Sequence, residues 1–174
     1  MFSKLSMKNI DVNKFVPLFS GIVLTDLIIM FMNAYDIIFK SRKLQEWYKD
    51  YGLSALLMDC LIIFLYIVGG RSLLTYSKMK VNVMNMIICT IIVQVIGDLL
   101  FYGLFSIVPR GKVKIFDFFK DYAKEIHYHA LWSDAVMMIS SILLSQVFIG
   151  MGNRNQWVLL FSLVYVSQYT LHIL

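Results

Sequence analysis

Charge is scarce in this chain. Asp, Glu, Lys and Arg make up 16% of its 174 residues, where a soluble domain carries about a quarter. Hydrophobic residues reach 59%, the mean hydropathy is +0.72, and the apolar residues fall in long runs. Insertion into a bilayer accounts for both features. The length leaves room for one helical bundle and no separate soluble domain. Proline occurs only twice, and only Pro109 breaks an apolar run; Pro17 falls in a first helical turn, where its missing N–H does little harm. The two cysteines, Cys60 and Cys89, sit singly inside apolar runs without a CxxC or a Cys/His cluster. They read as small packing residues, and neither metal nor redox cofactor is expected.

Other signatures are missing too. The first apolar run is too long for a signal-peptide core and has no convincing cleavage site, so it is expected to stay as a span. Neither end carries a lipidation motif. No Ser/His/Asp constellation, phosphate-binding glycine loop or haem site is present. Tyr35-Asp36 and Gly97-Asp98 superficially match the paired aspartates of intramembrane aspartyl proteases, but Val95 stands where the second motif needs glycine. The chain is therefore not expected to be an enzyme. His127 and His129 are two apart, a spacing poorly suited to a shared metal on a helix, and read as a membrane-edge pair. The eleven methionines read as packing.

What remains is a series of spans. Apolar runs cover about 15–39, 52–70, 81–108, 130–151 and 156–174, each near the roughly 20 residues a crossing needs. Gly69-Gly70-Arg71 reads as the exit of the second span, and Val108-Pro109-Arg110-Gly111 as the stop of the third. Residues 1–14 are polar and suit a short surface segment or interfacial helix. Two charged loops, 40–50 and 112–129, carry aromatic residues where a membrane aromatic belt would lie. The second of them suits an amphipathic helix at the interface, or an extension of the next span.

The loops also repeat. Trp47-Tyr48-Lys49-Asp50-Tyr51 matches Phe118-Phe119-Lys120-Asp121-Tyr122 at an offset of 71. Val23-x-x-Asp26-Leu27 matches Val95-x-x-Asp98-Leu99 at 72, and Ala55-Leu56-x-x-Asp59 matches Ala130-Leu131-x-x-Asp134 at 75. The last step needs a four-residue insertion, about one helical turn. Each half then has two spans and both halves enter from the same side. The expected fold is an all-α integral membrane helical bundle of about five transmembrane helices. Two parallel helix-pair repeats, 15–73 and 81–151, are followed by a C-terminal helix, 156–174.

Four spans carry an aspartate in matching places, Asp26, Asp59, Asp98 and Asp134, and the first also holds Asp36 near its end. A charge at the bilayer centre costs roughly 3 kcal/mol on insertion scales, and no Lys or Arg lies deep in a span to offset it. These side chains should face the bundle interior or a wet cleft. Gln94 lies four residues before Asp98, on the same helical face. Thr25, Asn33, Ser54 and Ser133 are further candidate neutral partners. Two readings follow: a proton or cation pathway through Asp26, Asp59, Asp98, Asp134 and Gln94, or interhelical hydrogen bonds that hold the repeats together, each worth about 0.6–2 kcal/mol.

The net charge of +5 could point to nucleic acid in a soluble protein, but the basic residues lie between apolar runs, where they meet headgroups. The expected partner is the bilayer, with a second copy or another membrane protein possible and nucleic acid not expected. Arg42, Lys43, Arg110, Lys120 and Lys124 are the candidate lipid- or partner-binding cations. Nine Lys and Arg fall on the side of the two large loops against seven on the other, which favours cytosolic loops.

The run Val108-Pro109-Arg110-Gly111, the stretch Phe116-Asp117-Phe118-Phe119-Lys120-Asp121-Tyr122-Ala123-Lys124-Glu125, and then Ser133-Asp134 and Met137-Met138 carry a likeness. On these residues the chain resembles a group of uncharacterised multi-pass membrane proteins of giant DNA viruses and their environmental relatives. The resemblance extends over most of the chain, including Trp47-Tyr48. In that group Ala-Lys-Glu-Val-Gly commonly follows the Asp-Tyr pair; here Ala123-Lys124-Glu125-Ile126-His127 follows it. The resemblance implies a viral or host-cell membrane and no particular activity.

Overall fold

A computed structural model of the chain describes residues 13, 15–35, 37 and 41–172. Seven helices and no strand occur among them: α1 (Val16–Ala34), α2 (Arg42–Tyr51), α3 (Leu53–Tyr76), α4 (Val83–Ile107), α5 (Lys114–Ile126), α6 (His129–Ile149) and α7 (Asn153–Leu171). The surface segment expected over 1–14, apart from Asn13, and Asp36 lie outside the described residues.

Four helices, α1, α3, α4 and α6, are long and apolar enough to cross a membrane. The fifth expected span, α7, is long enough at 19 residues but does not reach that hydropathy among the described residues. Its first turn is Asn153-Arg154-Asn155-Gln156, and Ser162, Ser167, Gln168 and Thr170 dilute the rest.

Two boundaries differ from expectation for physical reasons. Gly69 and Gly70 do not end the second span, because α3 runs on through Arg71 to Tyr76. The glycines instead let α4 approach. A Cβ on Gly70 would lie 2.6 Å from Thr90 Cα and 2.7 Å from its N, and one on Gly69 2.9 Å from Val93 Cγ1. Small residues at such crossings are how membrane helices pack without a hydrophobic driving force. Arg71 is thereby inside the helix, and its Nη1 is buried without a protein partner among the described residues. The first charged loop, in turn, is largely the helix α2. Ser41 caps it, its hydroxyl accepting from Leu44 N–H at 3.0 Å, and Leu44, Trp47, Tyr48 and Tyr51 form one face at helical spacing.

The second charged loop is the amphipathic helix α5, with Ile115, Phe118, Phe119 and Tyr122 at that same spacing and charged residues opposite. α2 follows α1 and α5 follows α4, so each lies where one long helix finishes and the next begins. The two meet through their aromatic faces: Trp47 is 5.3 Å from Phe118 and 5.2 Å from Phe119 between ring centres.

The main long-helix packings join α1 to α6 and α3 to α4, and α7 lies along α1. The α1–α6 crossing is also close: a Cβ on Gly21 would lie 2.7 Å from Ser141 O and 2.9 Å from Ser145 N. α1 is consequently the most enclosed of the four spanning helices. Both short helices end in one backbone shape, Gly52 at φ 50°, ψ −125° and His127 at φ 54°, ψ −132°.

Candidate functional site

The short helices put polar aromatic tips onto the aspartates. Tyr48 lies on the buried face of α2, and its hydroxyl donates to Asp26 Oδ1 at 2.9 Å. One residue earlier, the Trp47 indole N–H donates to Asp59 Oδ2 at 2.9 Å. Trp47 and Tyr48 are thus not belt residues at the interface; they are 4% and 1% exposed and plug the bundle end. Burial first, then Asp26 and Asp59 nearby, hold the Tyr48 hydroxyl well above its ordinary pKa, so it remains a donor at physiological pH.

In the other half Asp98 is held differently. The Tyr66 hydroxyl, from α3, donates to Asp98 Oδ1 at 2.7 Å, and the Gln94 side-chain amide donates to Oδ2. Gln94 also reaches Leu131 O on α6 at 3.4 Å. Gly97 makes the Tyr66 contact possible, since a Cβ there would lie 2.7 Å from the Tyr66 hydroxyl oxygen. Asp134 has no protein hydrogen-bond partner among the described residues, but Asp98 and Asp59 are its electrostatic neighbours. Asp59 likewise acts on Asp26. Tyr122 of α5 lies over the same group: burial first, then Asp134 and Asp59, push its hydroxyl pKa up.

Helix register sets the depth. Asp26 and Asp98 lie before the ends of α1 and α4, and Asp59 and Asp134 after the starts of α3 and α6. At 1.5 Å per residue all four are about 8–14 Å from the end that α2 and α5 close. They form one layer of carboxyls from four helices, with no Lys or Arg among their electrostatic neighbours. Asp26 is wholly buried and the other three are partly so.

Of the neutral partners expected from sequence, only Gln94 bonds a carboxylate. Ser133 turns back to Ala130 O at 2.9 Å, Ser54 is exposed, and Thr25 and Asn33 have buried side-chain polar atoms with no protein partner among the described residues. Trp47, Tyr48 and Tyr66 were missed. The aromatic word shared by the two loops pointed at the first two, but Tyr66 is 32 residues from Asp98 and had no local signal.

The candidate basic residues divide. Arg110 pairs with Asp121 at 2.7 Å, Lys120 donates to Val108 O, and Lys43 pairs with Glu46, with its backbone N–H 3.4 Å from Glu125 Oε1. These three brace α2, α5 and the turn before α5. Arg42 and Lys124 are exposed and make no ion pair among the described residues. No cluster of three His, Cys, Asp or Glu suited to a metal occurs among the described residues. No protein-family model, curated protein or solved structure matches the chain.

Proposed function

We propose that this is a small proton- or cation-handling channel or transporter whose path runs through Asp26, Asp59, Asp98 and Asp134, with Gln94 positioning Asp98. The observation that carries the reading is the carboxyl layer itself. Four acids from four helices gather within about 6 Å of depth near one end of the bundle without a cation to neutralise them, an arrangement that is costly as mere packing. Two helix pairs in parallel repeat would account for the matching depths. The likeness to membrane proteins of giant DNA viruses supports a viral or host-cell membrane as the setting.

Flux into liposomes tests this. Purified protein should pass protons or small cations down an imposed gradient, and Asp98→Asn and Asp134→Asn should each cut that flux at least tenfold. A genuine flux untouched by both substitutions contradicts the reading.

A second reading has its own observation. The bonds Tyr48–Asp26, Trp47–Asp59 and Tyr66–Asp98 each tie one helix to another. A non-catalytic membrane organiser would need those bonds and no path; its mark would be loss of assembly without any flux to lose.

A further inference from the structure

Arg71 is the one Lys or Arg within the four spanning helices. Its Nη1 is buried, and its guanidinium has no acceptor among the described residues. The residue as a whole is half-buried. One nitrogen therefore rests against the protein, while the Nε–Nη2 edge of the fork faces outward. A guanidinium held on one side and unbonded on the other needs an anion. This end of the bundle supplies none: residues 15–25, 60–97 and 135–172 contain no Asp or Glu. Its other described cations, Lys78, Lys80 and Arg154, are exposed at the α3–α4 turn and the start of α7.

The depth suits a lipid phosphate. α3 has 24 residues, about 36 Å at 1.5 Å each, against a hydrocarbon core of about 30 Å. Arg71 stands about 8 Å before the helix end at Tyr76. Tyr76, 87% exposed, marks the interface there. Leu57, Leu61, Phe64 and Val68 precede Arg71 on one face at helical spacing. Leu57 and Leu61 are 60% and 56% exposed. An apolar track thus runs from Arg71 toward the middle of the bilayer, open to an acyl chain.

We infer that Arg71 seats the phosphodiester of an anionic phospholipid whose chain lies along that track. The planar fork gives two parallel N–H···O bonds to one phosphodiester. Lys78, Lys80 and Arg154 add a field of one sign, which favours a headgroup with net negative charge over a zwitterionic one. The opposite end differs. There Glu46, Asp50, Asp117, Asp121 and Glu125 are interleaved with the cations, and Lys43 and Arg110 are already paired. A free phosphate would gain the fork but not the track, so the lipid is the source that fits. The site stands about 18 Å along α3 from Asp59 and is independent of whether the carboxyl layer carries ions.

The test is lipid uptake by the full chain. Protein stripped of lipid in a non-ionic detergent is titrated with phosphatidylglycerol or phosphatidylcholine of the same chains, and bound lipid is counted by native mass spectrometry. Wild-type protein should take up one phosphatidylglycerol in clear preference to phosphatidylcholine. Arg71→Gln should weaken that first binding about tenfold, the worth of one charge-assisted hydrogen bond. Arg71→Lys, which keeps the charge and loses the fork, should weaken it by less. Lys49→Gln, at an exposed cation of the opposite end, should leave it unchanged. Recovery of each variant as a folded species is checked first; Arg71→Lys carries the test if Arg71→Gln does not fold. First binding that is unchanged by the Arg71 substitution, or that falls equally with Lys49→Gln, overturns the inference. Equal uptake of the two lipids overturns it too, as does displacement of the lipid by equimolar inorganic phosphate, which would make this a site for a free anion.

Discussion

The half built from α1, α2 and α3 holds both of its aspartates from the interfacial helix; the half built from α4, α5 and α6 holds neither that way. Where the first half has Trp47 and Tyr48, the aligned positions of the second have Phe118 and Phe119, equally apolar in body but without an N–H or O–H to give. Asp98 is therefore served by Tyr66 from the other half and by Gln94, while Asp134 keeps only its acidic neighbours. One half locks its carboxyls under a donor cap, and the other leaves one without a donor. On the pathway reading, holding belongs to Asp26 and Asp59 and exchange to Asp98 and Asp134.

The strongest way to break this comparison is to erase the donor. Tyr48→Phe makes the first half resemble the second and leaves the fully buried Asp26 with no hydrogen-bond donor. A loss of about 3 kcal/mol is expected, since a buried acceptor stranded without a partner forfeits its full desolvation cost. Thermal unfolding in a fixed detergent should show it, and a Tyr48→Phe protein as stable as wild type would show that the cap does no holding.

The two close crossings should respond alike. Gly21→Ala drives a methyl against the backbone of α6, and Gly70→Ala drives one against the backbone of α4. Each is expected to cost about 2 kcal/mol by overpacking, read as a lowered midpoint in the same assay. If only one substitution matters, the two interfaces are not equivalent.

The helix ends sharpen the comparison further. Gly52 and His127 share a left-handed conformation that suits glycine and strains any other residue. His127→Gly should raise stability by about 1 kcal/mol and Gly52→Ala should lower it, both by thermal unfolding. The gain at His127 is the more telling, because few substitutions in a bundle stabilise it.

The smallest effect concerns the turn before α5. The Arg110 guanidinium beside Asp121 holds that carboxyl below its usual pKa. A depressed folded pKa gives stability that is present above the ordinary carboxylate range and lost as pH falls through the folded value. Arg110→Ala should therefore weaken the protein slightly at neutral pH, and the difference from wild type should fade as pH falls through the lowered Asp121 pKa. Both side chains are well exposed, so salt should also erase it.

How far the sequence revealed this molecule depended on how local each signal was. Four of the five expected spans were legible as long apolar helices, because some twenty apolar residues in a row can do little else; α7 misled, its apolar residues being diluted by a polar first turn and by Ser162, Ser167, Gln168 and Thr170. Asp26, Asp59, Asp98 and Asp134 stood out because a lone acid in such a run needs a reason. For α5, Phe118, Phe119 and Tyr122 against their charged neighbours left open an amphipathic helix or an extension of the next span, and the break at His127 makes it the former. α2 was not legible as a helix, because its ten residues are crowded with charge and its aromatic pair reads equally well as a membrane belt. Gly69 and Gly70 misled: glycine in a run looks like an exit unless the helix pressed against it is known. The Tyr66–Asp98 bond depends on which helices are neighbours, and that is decided only in three dimensions.

The most direct measurement of the central claim is labelling by a lipid-soluble carbodiimide in liposomes, mapped by mass spectrometry of the peptides. With the four carboxyls turned into the bundle, Asp26, Asp59, Asp98 and Asp134 should resist the reagent in the bilayer and react only after denaturation. Rapid labelling of any two of them in the intact membrane would put those acids against lipid and contradict a shared interior layer.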